Sequence, residues 1–313
     1  MGAFLHAVRV FFHHLAAVHW APLAIAVGLH VLKLGFRAVA WRSILGAAYP
    51  GQRIRFRSVF GAYVAGVGIN SVAPARGGDV VKLYLIKHRI RDASYATLAP
   101  TLVVETVFDF VVAGAIMVWA LSIGVLPTHQ VYSRIPTVDW KFFLRHEQAT
   151  AIALALLALA GLVLFVWARQ RVDAFRERVG RGFAILRDRR RFLIAVVFPQ
   201  GVSWVLRLAA LYYFLKAFGV HATLHNALLV QVVDSLATLF PATPGGAGTK
   251  QGLIVYLFRG EAVSRTLLLS FSVGMNIALV VCNLLLGLAA LFLMARTISW
   301  KRLRLAQARE QNA

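Results

Sequence analysis

Long apolar segments, separated by short basic stretches, run through almost the whole chain. Their lengths fit membrane-spanning helices, because a helix needs about 20 apolar residues to cross the hydrocarbon core. No segment shows the alternation of a membrane β-strand, and lipid does not tolerate open sheet edges, so each segment is read as helical. The segments cover residues 20–46, 58–73, 95–126, 148–168, 192–219, 225–240 with a second arm at 251–258, and 266–295.

Two of these segments are interrupted in the same way. Proline and paired glycines follow directly after 58–73 and after 225–240, and a lysine, Lys82 or Lys250, lies four residues beyond each glycine pair. As a helix, each apolar arm is about 24 Å long, which is shorter than the roughly 30 Å hydrocarbon core. Interrupted segments in corresponding places of two halves are typical of the binding site of a transporter.

Basic loops set the expected topology. The loop 169–191 carries nine arginines and the tail 296–313 is also basic, so both are expected in the cytoplasm. The tail reaches that side only if residues 225–258 enter and leave the membrane on the outer side, as a re-entrant hairpin. Basic stretches on both sides of 58–73 predict a second re-entrant hairpin, which enters from the cytoplasm.

Two similar hairpins that enter from opposite faces constitute an inverted repeat. The sequence therefore predicts an all-α integral membrane protein of about 7–8 helices with two re-entrant, broken-helix hairpins. A single transmembrane domain covers residues 1–313, and its halves, 1–168 and 192–295, are joined by the basic cytoplasmic loop 169–191. In the alternative reading, 58–73 is a short tilted span whose glycines only allow close helix packing.

Composition supports a membrane location. The chain is 59% hydrophobic with a mean hydropathy of +0.71, and its net charge is +22. The 34 lysines and arginines lie mostly between the apolar segments, where they fit loops facing an anionic leaflet. We therefore expect no nucleic-acid partner, and we expect a bacterial inner-membrane protein whose C-terminus is cytoplasmic.

Polar residues inside the apolar segments are costly and usually face a cavity or a neighbouring helix. Here they recur three or four residues apart, which places them on one face of each helix. The stripes are His30, Lys33 and Arg37; Thr97, Thr101, Glu105 and Asp109; Gln200, Ser203 and Arg207; Gln231, Asp234, Ser235 and Thr238; and Ser272, Asn276 and Asn283.

Five polar faces predict a hydrated groove between helices. We expect its polar network to contain Lys33, Arg37, Glu105, Asp109, Asp234 and Asn276. Two alternatives stay open. Glu105 and Asp109 could neutralise Lys33, Arg37 or Arg207 in buried ion pairs, and Asn276 with Asn283 could hydrogen-bond neighbouring helices.

The two proline–glycine breaks are candidate phosphate sites. Glycines let backbone amides and a helix N-terminus face an anion, and a lysine adds positive charge. The candidate substrate-binding residues are Arg76, Gly77, Gly78, Lys82, Arg207, Gly245, Gly246, Gly248 and Lys250. In the alternative, the breaks are ordinary helix ends with solvated lysines. We expect no metal and no cofactor.

The stretch from Phe240 to Gly252 resembles the proline–GGxG signature of the flippase-like transmembrane region of lysylphosphatidylglycerol synthases. The stretch from Asn70 to Lys82 is similar to an earlier motif of that region, and Glu105 with Asp109 fits its acidic helix. The resemblance covers roughly residues 20–295. It implies that the chain is a stand-alone member, without the aminoacyl-transferase domain.

The chain departs from the family pattern at three positions: Gln251 replaces a glutamate, Lys82 replaces an arginine, and Thr106 replaces the arginine beside Glu105. A proton- or charge-linked role for that missing glutamate is therefore not expected here. The resemblance still implies movement of lipid between leaflets.

The function that the sequence favours is therefore a lipid translocase rather than an enzyme. Its substrate would be a lipid with a polar or anionic headgroup, such as a phospholipid, a polyprenyl phosphate or a hopanoid. A membrane-embedded lipid-modifying enzyme and a non-transporting scaffold for a lipid or glycolipid synthase are the alternatives. A synthase partner and a homo-oligomer both stay open.

Overall fold

A computed structural model describes residues 17–73, 77–123, 172–239, 249–258 and 263–310, and these residues form helices with no strand among them. This confirms the all-α class. The apolar segment 148–168 lies outside the described residues. The helices are α1 Trp20–Ala48, α2 Phe56–Asn70, α3 Gly77–Lys87, α4 Tyr95–Ser122, α5 Val172–Gly182, α6 Arg189–Ala217, α7 Leu224–Leu239, α8 Thr249–Leu257 and α9 Arg265–Glu310.

Four of the described helices are long and apolar enough to cross a membrane. These are α1, α4, α6 and the part of α9 up to Met294, with apolar stretches of 29, 26, 29 and 30 residues. At about 1.5 Å per residue, even the shortest of them exceeds the roughly 30 Å hydrocarbon core. The pair α1 and α6 makes the most extensive helix contact in the described bundle.

Two pairs of short helices lie between the long ones. The first pair, α2 and α3, has 15 and 11 residues, and the second pair, α7 and α8, has 16 and 9. Within each pair the two helices pack against each other as a hairpin. The order long, short, short, long therefore occurs twice along the chain, as an internal repeat requires.

The basic segments gather at one end of the bundle, which we call the basic end. The Gln52 side chain donates to the Arg91 carbonyl oxygen at 2.9 Å and accepts from the Arg91 amide at 3.0 Å. The Tyr49 hydroxyl accepts a hydrogen bond from the Ser94 amide, and burial raises the pKa of this phenol. The loops after α1 and after α3 therefore lie side by side.

The C-terminal helix reaches the same end. A guanidinium nitrogen of Arg89 donates to the Met294 carbonyl oxygen at 2.9 Å. The segment around Gly182 also lies there, because this glycine packs directly against Pro100, near the start of α4. All the described basic loops, and the point where α9 leaves the bundle, thus share one end.

The opposite end is built from the start of α1 and the end of α6. The His19 amide donates to the Ala217 carbonyl oxygen at 2.8 Å. The Trp119 ring lies 5.7 Å from the His225 ring, which brings the end of α4 to the start of α7.

The two hairpins enter the bundle from opposite ends. Helix α2 starts at the basic end and α3 returns to it. Helix α7 starts at the opposite end, and α8 returns to it, because Leu257 and Phe258 pack in one apolar cluster with Phe218 and Val220. The broken helices and their opposed entry agree with the sequence expectation.

One prediction needs correction. Residues 169–191 were expected to be a basic cytoplasmic loop, yet the described part of them forms α5, a 3₁₀ turn at Ala184–Arg187 and the first residues of α6. Helix α5 has an apolar face and a basic face, and it packs against α1 and α4. Because apolar residues recur at helical spacing between the arginines, the segment lies on the bundle instead of extending into solvent.

Candidate headgroup site between the two hairpins

A cavity of about 440 Å³ lies among helices α1, α2, α3, α4, α6 and α7. Arg37, Glu105 and Arg207 each lie in the middle third of their long helices, so the cavity is at mid-height of the bundle. Its polar lining comprises Arg37, Tyr63, Asn70, Asp79, Lys82, Glu105, Thr106, Asp109, Trp204, Arg207, Gln231, Asp234 and Ser235. Its apolar lining comprises Val67, Leu102, Phe110, Ala113, Gly114 and Met117.

A first ion-pair cluster joins α1, α2, α3 and α4. The Arg37 guanidinium donates to Asp109 Oδ1 at 2.9 Å and to Glu105 Oε1 at 3.1 Å. The Tyr63 hydroxyl donates to the same Glu105 oxygen at 2.7 Å. The Lys82 ammonium donates to the other Glu105 oxygen, also at 2.7 Å. Both carboxylates are thus neutralised in ion pairs, which are buried at Glu105 and partly exposed at Asp109.

Lys82 is more enclosed than the sequence suggests. Its side chain is 6% exposed, and its Nζ lies 4.2 Å from the centre of the Trp41 ring and 4.0 Å from that of Tyr63. Aromatic faces attract an ammonium group and add to the ion pair with Glu105. The lysine therefore borders the cavity but is already held by protein groups.

A second cluster belongs to the other hairpin. Asp234 on α7 pairs with Lys250 on α8 at 3.0 Å and with Arg207 on α6 at 3.5 Å. The Arg207 guanidinium also lies 5.1 Å from the centre of the Trp204 ring. The structure thus brings Arg207, Asp234 and Lys250 together, although they are far apart in the sequence.

A single tryptophan connects the two clusters. The indole nitrogen of Trp204 donates to Asp109 Oδ1 at 3.0 Å, and Asp109 in turn accepts from Arg37. Because this tryptophan also packs against Arg207, the contacts of the two hairpins converge on one continuous set of polar side chains.

The tip of the first hairpin differs from the predicted phosphate site. The Gly78 amide donates to the Asn70 side-chain oxygen at 2.8 Å, and the Asn70 nitrogen donates to Asp79. Gly77 and Gly78 begin α3, and a Cβ on Gly78 would lie 1.9 Å from the Gly66 carbonyl oxygen. Glycine is needed at position 78 for close packing of α2 on α3. Arg76, Gly245, Gly246 and Gly248 lie outside the described residues.

Two predicted network residues, Lys33 and Asn276, are not part of the described cavity lining. Lys33 is half-buried on α1 and within electrostatic range of Arg207 and Arg37. Asn276 is half-buried on α9 and is not part of the described lining. Asn283, two turns further along α9, accepts a hydrogen bond from His30 through its side-chain oxygen at 2.8 Å and donates to Ser71 at 3.1 Å.

Five polar lining residues were not predicted to face the groove: Tyr63, Asn70, Asp79, Thr106 and Trp204. Asn70 and Asp79 flank the first break, so the motif itself could have drawn attention to them. Trp204 follows Ser203 and precedes Arg207 by three residues, which places it on the same helix face. Tyr63 carries no such signal, because α2 is apolar around it.

The family model for the lysylphosphatidylglycerol synthase transmembrane region matches residues 3–287 of the chain. The chain belongs to this family. The lysylphosphatidylglycerol synthase transmembrane family therefore accounts for nearly the whole length, and the resemblance carried by the two breaks is confirmed.

Two curated proteins are distantly similar to the chain. Two proteins of Methanothermobacter thermautotrophicus, each described as a UPF0104 membrane protein, are 24% and 22% identical to the chain. The first alignment covers 86% of this chain and 82% of the relative, and the second covers 76% and 73%. No solved structure matches the chain significantly.

Proposed function

We propose that the protein moves a lipid with a polar or anionic headgroup between the two membrane leaflets, and that it is not an enzyme. The observation that carries this proposal is the charged cavity at mid-height, where two hairpins entering from opposite ends meet. A headgroup that crosses the hydrocarbon core needs polar partners at that depth, since charged groups are costly there.

The apolar part of the cavity wall supports the same proposal. Phe110, Ala113 and Met117 line the cavity from α4, and Phe110 is also 59% exposed on the outside of the bundle. The cavity wall therefore continues into a surface that faces lipid. A lipid could place its headgroup among the charged side chains while its acyl or isoprenoid chain stays in the bilayer.

The charge distribution supports a proposed orientation in the membrane. The basic end carries exposed arginines, among them Arg187, Arg189, Arg190 and Arg191. We place this end, and with it the start of the C-terminal tail, in the cytoplasm of a bacterial inner membrane, because lysine and arginine are enriched in cytoplasmic loops. The first hairpin then opens to the cytoplasm and the second to the outer side.

The test is leaflet exchange in proteoliposomes that contain fluorescent phosphatidylglycerol, measured with a membrane-impermeant quencher. We expect Arg207→Ala and Lys250→Ala each to slow exchange by roughly 10–100-fold, since a hydrogen bond to a charged group contributes about 1.5–3 kcal/mol. Arg178→Ala is the matched control, because this arginine is exposed on α5.

Each variant is compared at equal reconstitution and with an unchanged thermal denaturation temperature. If liposomes that contain the unmodified protein exchange lipids no faster than empty liposomes, with each of several headgroups, transport is contradicted. It would leave the enzyme and the scaffold as the remaining functions.

A further inference from the structure

The carboxylates on the cavity wall are already occupied. Among the described lining residues there are four: Asp79, Glu105, Asp109 and Asp234. Three of them are in ion pairs with arginine or lysine. Asp79 lies in the first turn of α3, where it accepts a hydrogen bond from Asn70 at 3.2 Å and where the helix dipole favours a negative charge.

The basic side chains of the cavity differ in how exposed they are and in how closely they are paired. Arg207 is 30% exposed, compared with 14% for Arg37 and 6% for Lys82. Its contact with Asp234, at 3.5 Å, is also the longest ion pair in the described bundle. A guanidinium has five N–H donors, so Arg207 can donate hydrogen bonds to a second, anionic partner.

Asp234 is arranged so that it can release Arg207 at little cost. Its other oxygen is 3.0 Å from the Lys250 ammonium, so the carboxylate stays paired when Arg207 turns away. Leaving a buried charge without its partner costs several kcal/mol, and this second cation avoids that cost. An incoming anion could therefore replace Asp234 at Arg207.

From these contacts we infer that the cavity selects a headgroup with a phosphate and no cationic group, and that the phosphate binds Arg207 in place of Asp234. This inference rests on the proposed function and narrows its substrate. An ammonium group would find the paired carboxylates occupied, and it would lie beside Arg37, Lys82 and Arg207 with Lys33 close by. Like charges in a low-dielectric site repel strongly.

Two kinds of lipid carry the required chemistry: a phosphodiester such as phosphatidylglycerol and a monoester such as a polyprenyl phosphate. The experiment is competition against fluorescent phosphatidylglycerol bound to the purified full-length protein. The competitors are phosphatidylglycerol, polyprenyl monophosphate, phosphatidylethanolamine, a dialkyl trimethylammonium lipid and diacylglycerol. We expect phosphatidylglycerol or polyprenyl monophosphate to compete at least about tenfold better than the other three lipids. Whichever of these two competes better identifies the kind of lipid that supplies the phosphate.

Variants separate recognition from folding. Arg207→Gln should weaken phosphatidylglycerol binding by roughly 10–100-fold, and Arg207→Lys should restore part of it. Asp234→Asn should tighten binding, because it removes the internal competitor while Lys250 stays. If Asp234 were only structural, the same change would weaken binding. Arg178→Gln should have no effect.

Equal competition by the trimethylammonium lipid, or unchanged binding by Arg207→Gln, would overturn this inference. The two proposals fail separately. If selective phosphate binding is observed without any leaflet exchange, translocation is wrong and the headgroup assignment stands. If exchange occurs equally for headgroups of every charge, translocation stands and the headgroup assignment is wrong.

Discussion

Lys82 shows how one side chain can be both near a candidate site and part of the protein's internal structure. Its ammonium is 2.7 Å from Glu105 and is covered by the rings of Trp41 and Tyr63. A buried ion pair contributes little net stability, but removing one partner leaves an uncompensated charge. The contribution of Lys82 to stability is therefore measured best by removing one partner of the pair.

We expect Lys82→Met to lower the free energy of unfolding by about 1.5–3 kcal/mol, because Glu105 would lose its nearest cation while Arg37 still pairs with it. Thermal denaturation of the purified protein in detergent measures this effect. The double variant Lys82→Met/Glu105→Leu should recover much of the loss, and Arg190→Gln, at an exposed position, should change nothing measurable. A double variant no more stable than the single one would contradict the pairing.

The polar side chains were predictable in part from their spacing. Stripes at three and four residues placed Arg37, Glu105, Asp109 and Arg207 on inward faces, and the structure brings them to one cavity. Spacing does not reveal which faces meet, so the pairing of Asp234 with Lys250 had no sequence signal beyond their shared hairpin. The aromatic partners of Lys82 were missed for the same reason.

At the scale of elements, the first hairpin is fixed by backbone-to-backbone contact. A Cβ on Gly68 would lie 2.7 Å from the Asn283 carbonyl oxygen and 2.9 Å from the Gly287 Cα. Helices α2 and α9 therefore cross with no side chain between them, as small residues allow in membrane bundles. The hydrogen bond from Asn283 to Ser71 holds the hairpin tip to the same helix.

Gly68→Ala should therefore separate α2 from α9 and lower the free energy of unfolding by about 1–3 kcal/mol, the usual cost of overpacking. Gly46→Ala is the matched control, because nothing lies within 4 Å of the added Cβ. This control should be neutral or slightly stabilising, since alanine favours helix more than glycine. Equal denaturation temperatures for the two variants would show that the crossing is not tightly packed.

The hairpins themselves were predictable, because an apolar arm too short to span and ending in proline and glycine leaves few alternatives. Their direction of entry was also predictable from the positions of arginine and lysine. The helix inside 169–191, which packs against α1 and α4, was not predicted. The nine arginines of this segment made its helical spacing of apolar residues hard to recognise.

On the scale of the whole molecule, the described bundle has two chemically distinct ends. The basic end joins the loops that contain Gln52 and Arg91 and the point where α9 passes Met294. The other end is formed by the chain around His19, Ala217 and His225. A membrane placed across the four long helices separates these ends.

Cysteine labelling tests this arrangement. With Cys282 replaced by alanine, single cysteines at Arg91 and Arg187 should react with an impermeant maleimide from the same side of sealed vesicles. A cysteine at His221, which is exposed at the other end, should react only from the opposite side. Labelling of all three positions from one side would contradict the arrangement of the bundle.

Helix α9 continues without interruption from the bundle to Glu310. It contacts the first hairpin at two heights, through Gly287 on Gly68 and Met294 on Gly61, and the Met294 carbonyl accepts from Arg89 just after α3. A force applied to the C-terminal turns would thus be transmitted directly to the first hairpin, which lines the cavity. If the proposed function is right, anything that binds those turns, whether a tag, an antibody fragment or a partner protein, would alter how readily a lipid can enter.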